Sequence, residues 1–341
     1  MINQSPARGG WSAVQSTGVL LLCRVFTFFC AGQAYSAACA KGMAVAVLMT
    51  AGLLLPLLHR TGELTVSERL LPLYRVFALL WAARSLSGLL GLLQAVGSPH
   101  PVATVLLLLA ALPALTTLPH AAAARAAAVL LFVMGAAFLL LPISGISTAN
   151  PVYLYTPGDA GSAFLREFSQ AGELGILPLL WMRQQCRPNA AAHSTAAWLT
   201  GRGIVLPLVV LLGTVQNGRL QRWEGNPFFL LLARTPLSDA LRTDGIWLLL
   251  AVVCGVISLT VFLQIAAEPQ PLRSTVNRRE QCAVLIPLAA LTALWHLTPA
   301  PDWLFAVCAV LLGIAVPWAT VLRRVSRSKL YTQKRAEFPQ N

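Results

Sequence analysis

Apolar residues fill this chain in long runs that are separated by short polar segments. Runs of about 17–25 apolar residues have the length of a helix that crosses a bilayer. The pattern therefore predicts an all-α integral membrane protein with about ten transmembrane helices. We expect these helices at residues 14–33, 43–58, 71–96, 102–118, 121–141, 168–182, 203–215, 246–266, 282–297 and 303–322.

The composition is that of a membrane protein. Of the 341 residues, 57% are hydrophobic and 11% are charged, whereas about 25% of the residues of a soluble domain are charged. The polar segments between the predicted helices are too short to form a separate globular domain. A single membrane domain is therefore predicted over residues 14–322.

The net charge of +13 is concentrated in alternate loops and in the C-terminal tail. Because cytoplasmic loops are enriched in basic residues, this distribution predicts two cytoplasmic ends, residues 1–13 and the basic tail 323–341. Arg202 is assigned here to the basic inner loop before the seventh predicted helix. Basic residues at a membrane surface bind anionic lipids, and the chain lacks a nucleic-acid-binding motif. We expect a multi-pass protein of the cell membrane that contacts lipids and no nucleic acid.

The chain offers no pattern typical of an enzyme or a metal site. Its seven cysteines form no CxxC pair, and its five histidines form no HExxH motif. Neither a phosphate-binding loop nor a convergent nucleophile and base can be identified. We therefore expect no catalysis, no bound metal and no cofactor.

Glu173 is the most informative polar residue because it interrupts an apolar run. An ionisable group inside a bilayer is costly unless it is paired, hydrated or neutralised, and such groups often carry function. Nearby glycines and a proline predict that its helix is discontinuous. A carboxylate and an amide beside freed backbone groups suit a ligand's ammonium group, and a half-helix N-terminus suits its carboxylate. The predicted ligand-binding residues of this sixth helix are Ser169, Gln170, Gly172 and Glu173.

The first predicted helix carries a similar polar interruption, at Thr27 and at residues 30–33. Ten helices can form two inverted five-helix halves, in which the first and the sixth helices are equivalent. Matched interruptions in the two halves favour a transporter-like inverted-repeat bundle, with discontinuous first and sixth helices and a ligand site near the midplane. On this basis Gly32 and Gln33 are added to the predicted ligand-binding residues.

Three arginines fall within predicted helices, at positions 24, 75 and 84. Arg75 lies near the end of its helix and is expected to reach the membrane surface. Arg24 and Arg84 lie deeper and are further candidate ligand contacts. The alternative is structural: Glu173 pairs with one of these arginines, or stays protonated, and binds no ligand.

Two segments of the chain resemble the spore germination protein family, the B-type subunits of germinant receptors. Residues 150–155 and 168–177 are similar to the family's sixth-helix region, with an F-x-x-x-G-E pattern that ends at Glu173. The similarity is greater still over residues 226–247, which end in the family-like motif Arg242, Asp244 and Trp247.

This resemblance implies a ten-span inverted-repeat core of the amino acid–polyamine–cation transporter superfamily. It also implies a receptor subunit in the inner membrane of a spore, which binds a small nutrient, by expectation an amino acid, and assembles with A- and C-type subunits. Arg242 and Asp244 flank a helix start, where a structural capping role is expected. A secondary amino acid or cation permease and a structural membrane subunit without a ligand are the alternatives.

Overall fold

The computed structural model of the chain describes residues 11–30, 35–58, 66–116, 118–145, 149–155, 157–184, 189–217, 243–267, 278–323 and 326, and their regular structure is helical. The α-helices are α1 (Ala13–Cys30), α2 (Ala37–Leu58), α3 (Leu71–Ala95), α4 (Pro101–Thr116), α5 (His120–Gly145), α6 (Ala160–Ser169), α7 (Gly172–Gln184), α8 (Ala190–Thr200), α9 (Leu206–Asn217), α10 (Thr243–Ala267), α11 (Arg278–Leu297) and α12 (Asp302–Val310). Two 3-10 helices (Glu68–Leu70 and Pro151–Tyr155) and two π-helical turns (Gly201–Val205 and Leu311–Ala315) complete the described elements.

Seven helical stretches among the described residues are long and apolar enough to cross a membrane. Two further apolar helices are shorter, Pro101–Thr116 and Ala283–Leu297. The expectation of an all-α membrane protein is confirmed at this level. The seven stretches are Ala13–Cys30, Ala37–Leu58, Glu68–Ala95, His120–Phe138, Ala190–Gln216, Gly245–Ala267 and Asp302–Arg323.

The stretch Ala190–Gln216 differs most from its prediction, which placed a basic loop before a short helix at 203–215. The alanine-rich segment of α8 is helical and continues through the π-helical turn into α9. Alanine has the highest helix propensity, which explains why this segment joins the helix. Arg202 therefore lies inside a helical stretch that is long and apolar enough to cross a membrane, and not in a loop, and its side chain is buried.

The sixth predicted helix consists of two helices in the structure. α6 ends at Ser169 and α7 begins at Gly172, so Gln170 and Ala171 separate them. The predicted discontinuity is therefore present, and α7 continues through Pro178. By contrast, α1 runs without a break through Thr27 to Cys30, while Gly32 and Gln33 lie outside the described residues.

α1 lies at the centre of the bundle, where it packs against α3, α5, α8 and α10. A small residue permits the close approach to α5: a Cβ atom at Gly18 would come within 2.8 Å of the backbone of Ala127. Small residues of this kind let backbones approach in membrane helix packing. α6 packs against α2 and α12. α7 packs against α12 and against the π-helical turn Leu311–Ala315, which follows α12. The break between α6 and α7 is thereby held inside the bundle.

Candidate functional site

The break between α6 and α7 frees backbone carbonyls that the last turn of a helix leaves unpaired. Two side chains from other helices bind them. Arg84 on α3 donates through Nη1 to the carbonyl oxygen of Ser169 at 2.9 Å. The hydroxyl of Thr27 on α1 shares its proton between the carbonyl oxygens of Arg24, at 2.9 Å, and Gln170, at 3.1 Å. A cation at the C-terminal end of a helix also interacts favourably with its dipole. The break is therefore stabilised by α1 and α3.

Behind the break lies a buried cluster of three charged side chains: Arg24 on α1, Glu167 on α6 and Arg202 in the first π-helical turn. Arg24 pairs with Glu167 through Nη2 and donates from Nε to Oε1 at 3.3 Å. Arg202 donates from Nε to the same Oε1 at 2.5 Å and from Nη2 to the backbone carbonyl of Glu167 at 3.2 Å. One carboxylate thus joins three segments of the bundle.

Arg24 also extends toward the break, since its Nη1 donates to the hydroxyl of Thr27 at 3.1 Å and to Oε1 of Gln170 at 3.4 Å. The charged cluster, which we call the Glu167 cluster, is therefore continuous with the hydrogen bonds of the break. Sequence reasoning missed Glu167, which stands one residue before the predicted sixth helix. An arginine inside a membrane needs an acidic partner. A search for acidic residues in or next to the predicted helices would therefore have identified Glu167 as a candidate.

Glu173 lies in the first turn of α7 and is fully buried. Neither of its carboxylate oxygens has a hydrogen-bond partner among the described residues, and the same holds for Nη1 of Arg202. Both arginines of the Glu167 cluster are near enough to act on Glu173 electrostatically. The expected alternative, in which Glu173 pairs with Arg24 or Arg84, is wrong for this structure because Glu167 and Asp302 take those partners.

Arg84 forms an ion pair with Asp302 at the start of α12, with Nη2 2.5 Å from Oδ1. Its guanidinium also lies over the rings of Phe305, 4.4 Å from the centroid, and Trp81, 5.6 Å from the centroid. The exposed fractions are 20% for the Arg84 side chain and 55% for that of Asp302. The pair is therefore accessible, unlike the Glu167 cluster.

A cavity of about 300 Å³ adjoins this ion pair and the helix break. Its polar lining includes Thr27, Gln170, Arg84 and Asp302. Its aromatic lining comes from three helices: Phe26 on α1, Trp81 on α3 and Trp295 on α11. The cavity thus combines a cation, an anion, an amide and a hydroxyl with apolar walls, the usual composition of a small-molecule site.

Of the predicted ligand-binding residues, the structure places Gln170 and Arg84 at the cavity wall. Arg24 lies behind Gln170 in the Glu167 cluster. Ser169 is buried and its hydroxyl donates to the carbonyl oxygen of Arg166 at 3.0 Å. Gly172 has a packing role, because a Cβ atom there would overlap the indole ring of Trp81.

The remaining predicted residues lie elsewhere. Trp247 on α10 is buried and makes edge contacts with Phe29, at a centroid distance of 6.2 Å, and with Phe138, at 5.4 Å. It is therefore a packing residue. Arg242 lies outside the described residues, and Asp244 is in the first turn of α10 with its side chain undescribed.

Arg75, expected at a membrane surface, binds the C-terminal end of α10. Its Nε donates to the carbonyl oxygen of Ala266 and its Nη2 to that of Ala267, both at 2.8 Å. These carbonyls are among the unpaired acceptors of a helix end. Arg75 is thus a capping residue remote from the cavity.

No protein-family model matches the chain, and neither the curated proteins nor the solved structures contain a significant match. The resemblance to the spore germination family therefore rests on the residues quoted above.

Proposed function

We propose that this protein binds a small zwitterionic nutrient, an amino acid, in the cavity between the α6–α7 break and the Arg84–Asp302 pair. The observation that carries the proposal is that one cavity of about 300 Å³ is lined by a guanidinium and a carboxylate 2.5 Å apart. An amino acid offers the complementary pair of charges. Its carboxylate can bind Arg84 and its ammonium group Asp302, each through charge-assisted hydrogen bonds.

The other polar groups of the cavity support the same ligand class. The amide oxygen of Gln170 and the hydroxyl of Thr27 lie at its wall, and an ammonium group can donate three hydrogen bonds. The rings of Phe26, Trp81 and Trp295 suit an apolar ligand side chain. A volume at the lower end of the range for small-molecule pockets, about 300–1,000 Å³, favours a ligand of amino-acid size.

We further propose that the protein acts as the B-type subunit of a spore germinant receptor in the spore inner membrane, together with A- and C-type subunits. This assignment is supported by the resemblance over residues 150–155, 168–177 and 226–247. The short apolar helices α4 and α11 and the α6–α7 pair would complete ten spans in two inverted halves, with both termini in the cytoplasm. Ligand binding would shift the bundle by favouring one arrangement of the broken helix.

A secondary permease of the same superfamily is the second candidate. The observation that favours it is Glu173, a fully buried carboxyl group without a hydrogen-bond partner among the described residues. Intramembrane acids of this kind occur on ion and proton pathways of transporters. Concentrative uptake of an amino acid into proteoliposomes distinguishes a permease from a receptor. Loss of nutrient-triggered germination on gene deletion, without such uptake, identifies the receptor.

The binding proposal is tested by thermal unfolding of the purified full chain with each of the common amino acids. A ligand at a hundred times its dissociation constant stabilises a protein by about 2.7 kcal/mol, so a binder raises the unfolding temperature measurably. The rise should be lost in Arg84→Gln and retained in Arg75→Gln, because Arg75 binds helix carbonyls away from the cavity. If no amino acid stabilises the unmodified protein, the proposal is wrong.

A further inference from the structure

A second cavity, unrelated to the amino-acid site, lies between α5 and α9 with α1 as its floor. It has a volume of about 820 Å³. α1 packs closely along α5, whereas α5 and α9 contact each other at few positions, so a groove remains between them. Along α9 every lining residue is a leucine or a valine, and α5 contributes Leu131, Met134, Gly135 and Phe138. We call this cavity the α5–α9 groove.

The groove is long enough to cross the hydrocarbon layer of one leaflet of a membrane. Its lining follows the span from Gly201 to Val215, which at 1.5 Å per residue is roughly 20 Å. The hydrocarbon layer of one leaflet is about 15 Å thick, half of a core of about 30 Å. At one end the groove reaches Leu154 in the 3-10 helix Pro151–Tyr155. At the other it ends in the interior of the bundle, against Arg24.

Arg24 does not make the groove polar. Its guanidinium donates hydrogen bonds to Glu167, Thr27 and Gln170, which leaves its aliphatic stem to line the groove. An apolar groove of this depth disfavours water. If it were empty, its walls would lose dispersion contacts.

The groove also opens sideways between two helices that are long enough to span a membrane. Val205, the last residue of the π-helical turn before α9, and Leu208 on α9 are exposed at one edge of the groove, the α9 edge, so this edge presents bulky apolar side chains. Helix–helix interfaces in membranes are instead enriched in small residues. The bulky side chains at the α9 edge therefore favour a lipid over a second helix.

We propose that the α5–α9 groove is a binding site for one acyl chain of a membrane phospholipid, from the leaflet on the side of the 3-10 helix Pro151–Tyr155. The bound chain lies against the stem of Arg24 and against Gly201, the neighbour of Arg202. It therefore braces the two helices that carry the arginines of the Glu167 cluster. This site does not depend on the proposed amino-acid ligand.

The test uses the full chain in vesicles of phosphatidylethanolamine and phosphatidylglycerol that contain a trace of phospholipid with a diazirine on its acyl chain. After illumination, mass spectrometry of peptides locates the lipid adducts. We expect adducts on the groove residues of α5 and α9 at a yield several-fold above that of other apolar surfaces, such as the exposed face of α2. A groove yield equal to that of the other surfaces would overturn the proposal.

Two glycines provide matched variants. Among the described residues, and apart from the neighbouring backbone of the same helix, no heavy atom lies within 4 Å of a Cβ atom placed at Gly135 in the groove or at Gly91 on α3 outside it. Both Gly135→Phe and Gly91→Phe are therefore expected to fold. Gly135→Phe should lower the groove adducts several-fold, and Gly91→Phe should leave them unchanged. Equal adduct yields in the two variants would contradict a bound chain.

A photoreactive leucine analogue in place of Leu208 identifies any other occupant. Leu208 lines the groove and is exposed. We expect adducts of phospholipid mass. A dimer-sized adduct, or a link to another segment of this chain such as residues 218–242, would show that protein covers the groove and would overturn the lipid assignment.

Discussion

Arg202 and Glu167 are 35 residues apart in sequence, and Nε of Arg202 lies 2.5 Å from Oε1 of Glu167. Both side chains are buried. Arg24 binds the same carboxylate from α1. Three helical segments therefore depend on one acidic residue for the neutralisation of two buried cations.

Removal of the negative charge at position 167 should destabilise the protein strongly. Glu167→Gln leaves Arg24 and Arg202 without their counter-charge, and breaking a buried ion pair by removing one partner costs about 3–5 kcal/mol. The measurement is thermal or denaturant unfolding of the purified protein. Glu173→Gln is the matched control, since it makes the same change at a buried acid whose oxygens accept no hydrogen bond from the part of the chain that the structure describes. We expect Glu173→Gln to be much less destabilising; equal losses would contradict the role assigned to Glu167.

The close contact of Gly172 with Trp81 predicts a specific packing defect. In Gly172→Ala the added methyl group overlaps the indole ring, and overpacking of this kind costs about 1–3 kcal/mol. Gly91→Ala on α3 is the control, because no other described segment comes within 4 Å of its Cβ position and alanine is favoured over glycine in a helix by about 1 kcal/mol. Unfolding measurements should therefore show opposite signs. A neutral Gly172→Ala would mean that Trp81 can move aside.

The Arg84–Asp302 pair predicts how the two charges of an amino acid are recognised. Asp302→Asn removes the group proposed to bind the ammonium ion, and a hydrogen bond to a charged group contributes about 1.5–3 kcal/mol. We expect the affinity for the amino acid to fall by about tenfold or more. The affinity for the corresponding acid without an amino group should change little. Isothermal titration of both compounds provides the measurement.

Arg84→Gln completes that experiment because it removes the group proposed for the ligand's carboxylate. It should weaken the amino acid and its deaminated analogue alike. If Asp302→Asn weakens both compounds equally, the orientation proposed for the ligand is wrong.

Asp159, the N-cap of α6, predicts a pH dependence outside the membrane spans. Its side chain accepts a hydrogen bond from the backbone N–H of Gly161 at 2.9 Å, which lowers the pKa of the carboxyl group below its usual 3.8. A lowered folded-state pKa means that the stabilisation is present above pH 3.8 and is lost as the pH falls through the folded-state pKa. Protection against hydrogen exchange at the first turn of α6, relative to the intrinsic rate at each pH, should therefore fall in strong acid. Asp159→Asn, which keeps an N-cap side chain, should remove that acid sensitivity.

The break of the sixth helix shows what could be predicted at the site. Gly172, Glu173 and Gly175 stand together in an apolar run, and they predicted an interruption that the structure has at Gln170 and Ala171. The partners of the break were not predictable. Arg84 and Asp302 are 218 residues apart, and the sequence around either residue does not indicate that the two side chains pair.

The sequence by itself determined that the protein is an all-α membrane protein and where its sixth predicted helix is interrupted. Backbone groups in hydrocarbon must be paired within the chain, so long apolar runs can only be helices, and a short polar stretch between glycines marks where such a helix breaks. Only the tertiary structure decided the pairing of charges. In the structure Arg202 lies in the core and not in a loop, and Arg24 pairs with Glu167 and not with Glu173. The physical reason is that a buried charge pairs with the nearest opposite charge across a helix interface. The distance between two such charges is set by the packing of the helices, for example by the close contact of Gly18 with Ala127. The pattern of apolar residues along the chain does not encode that distance.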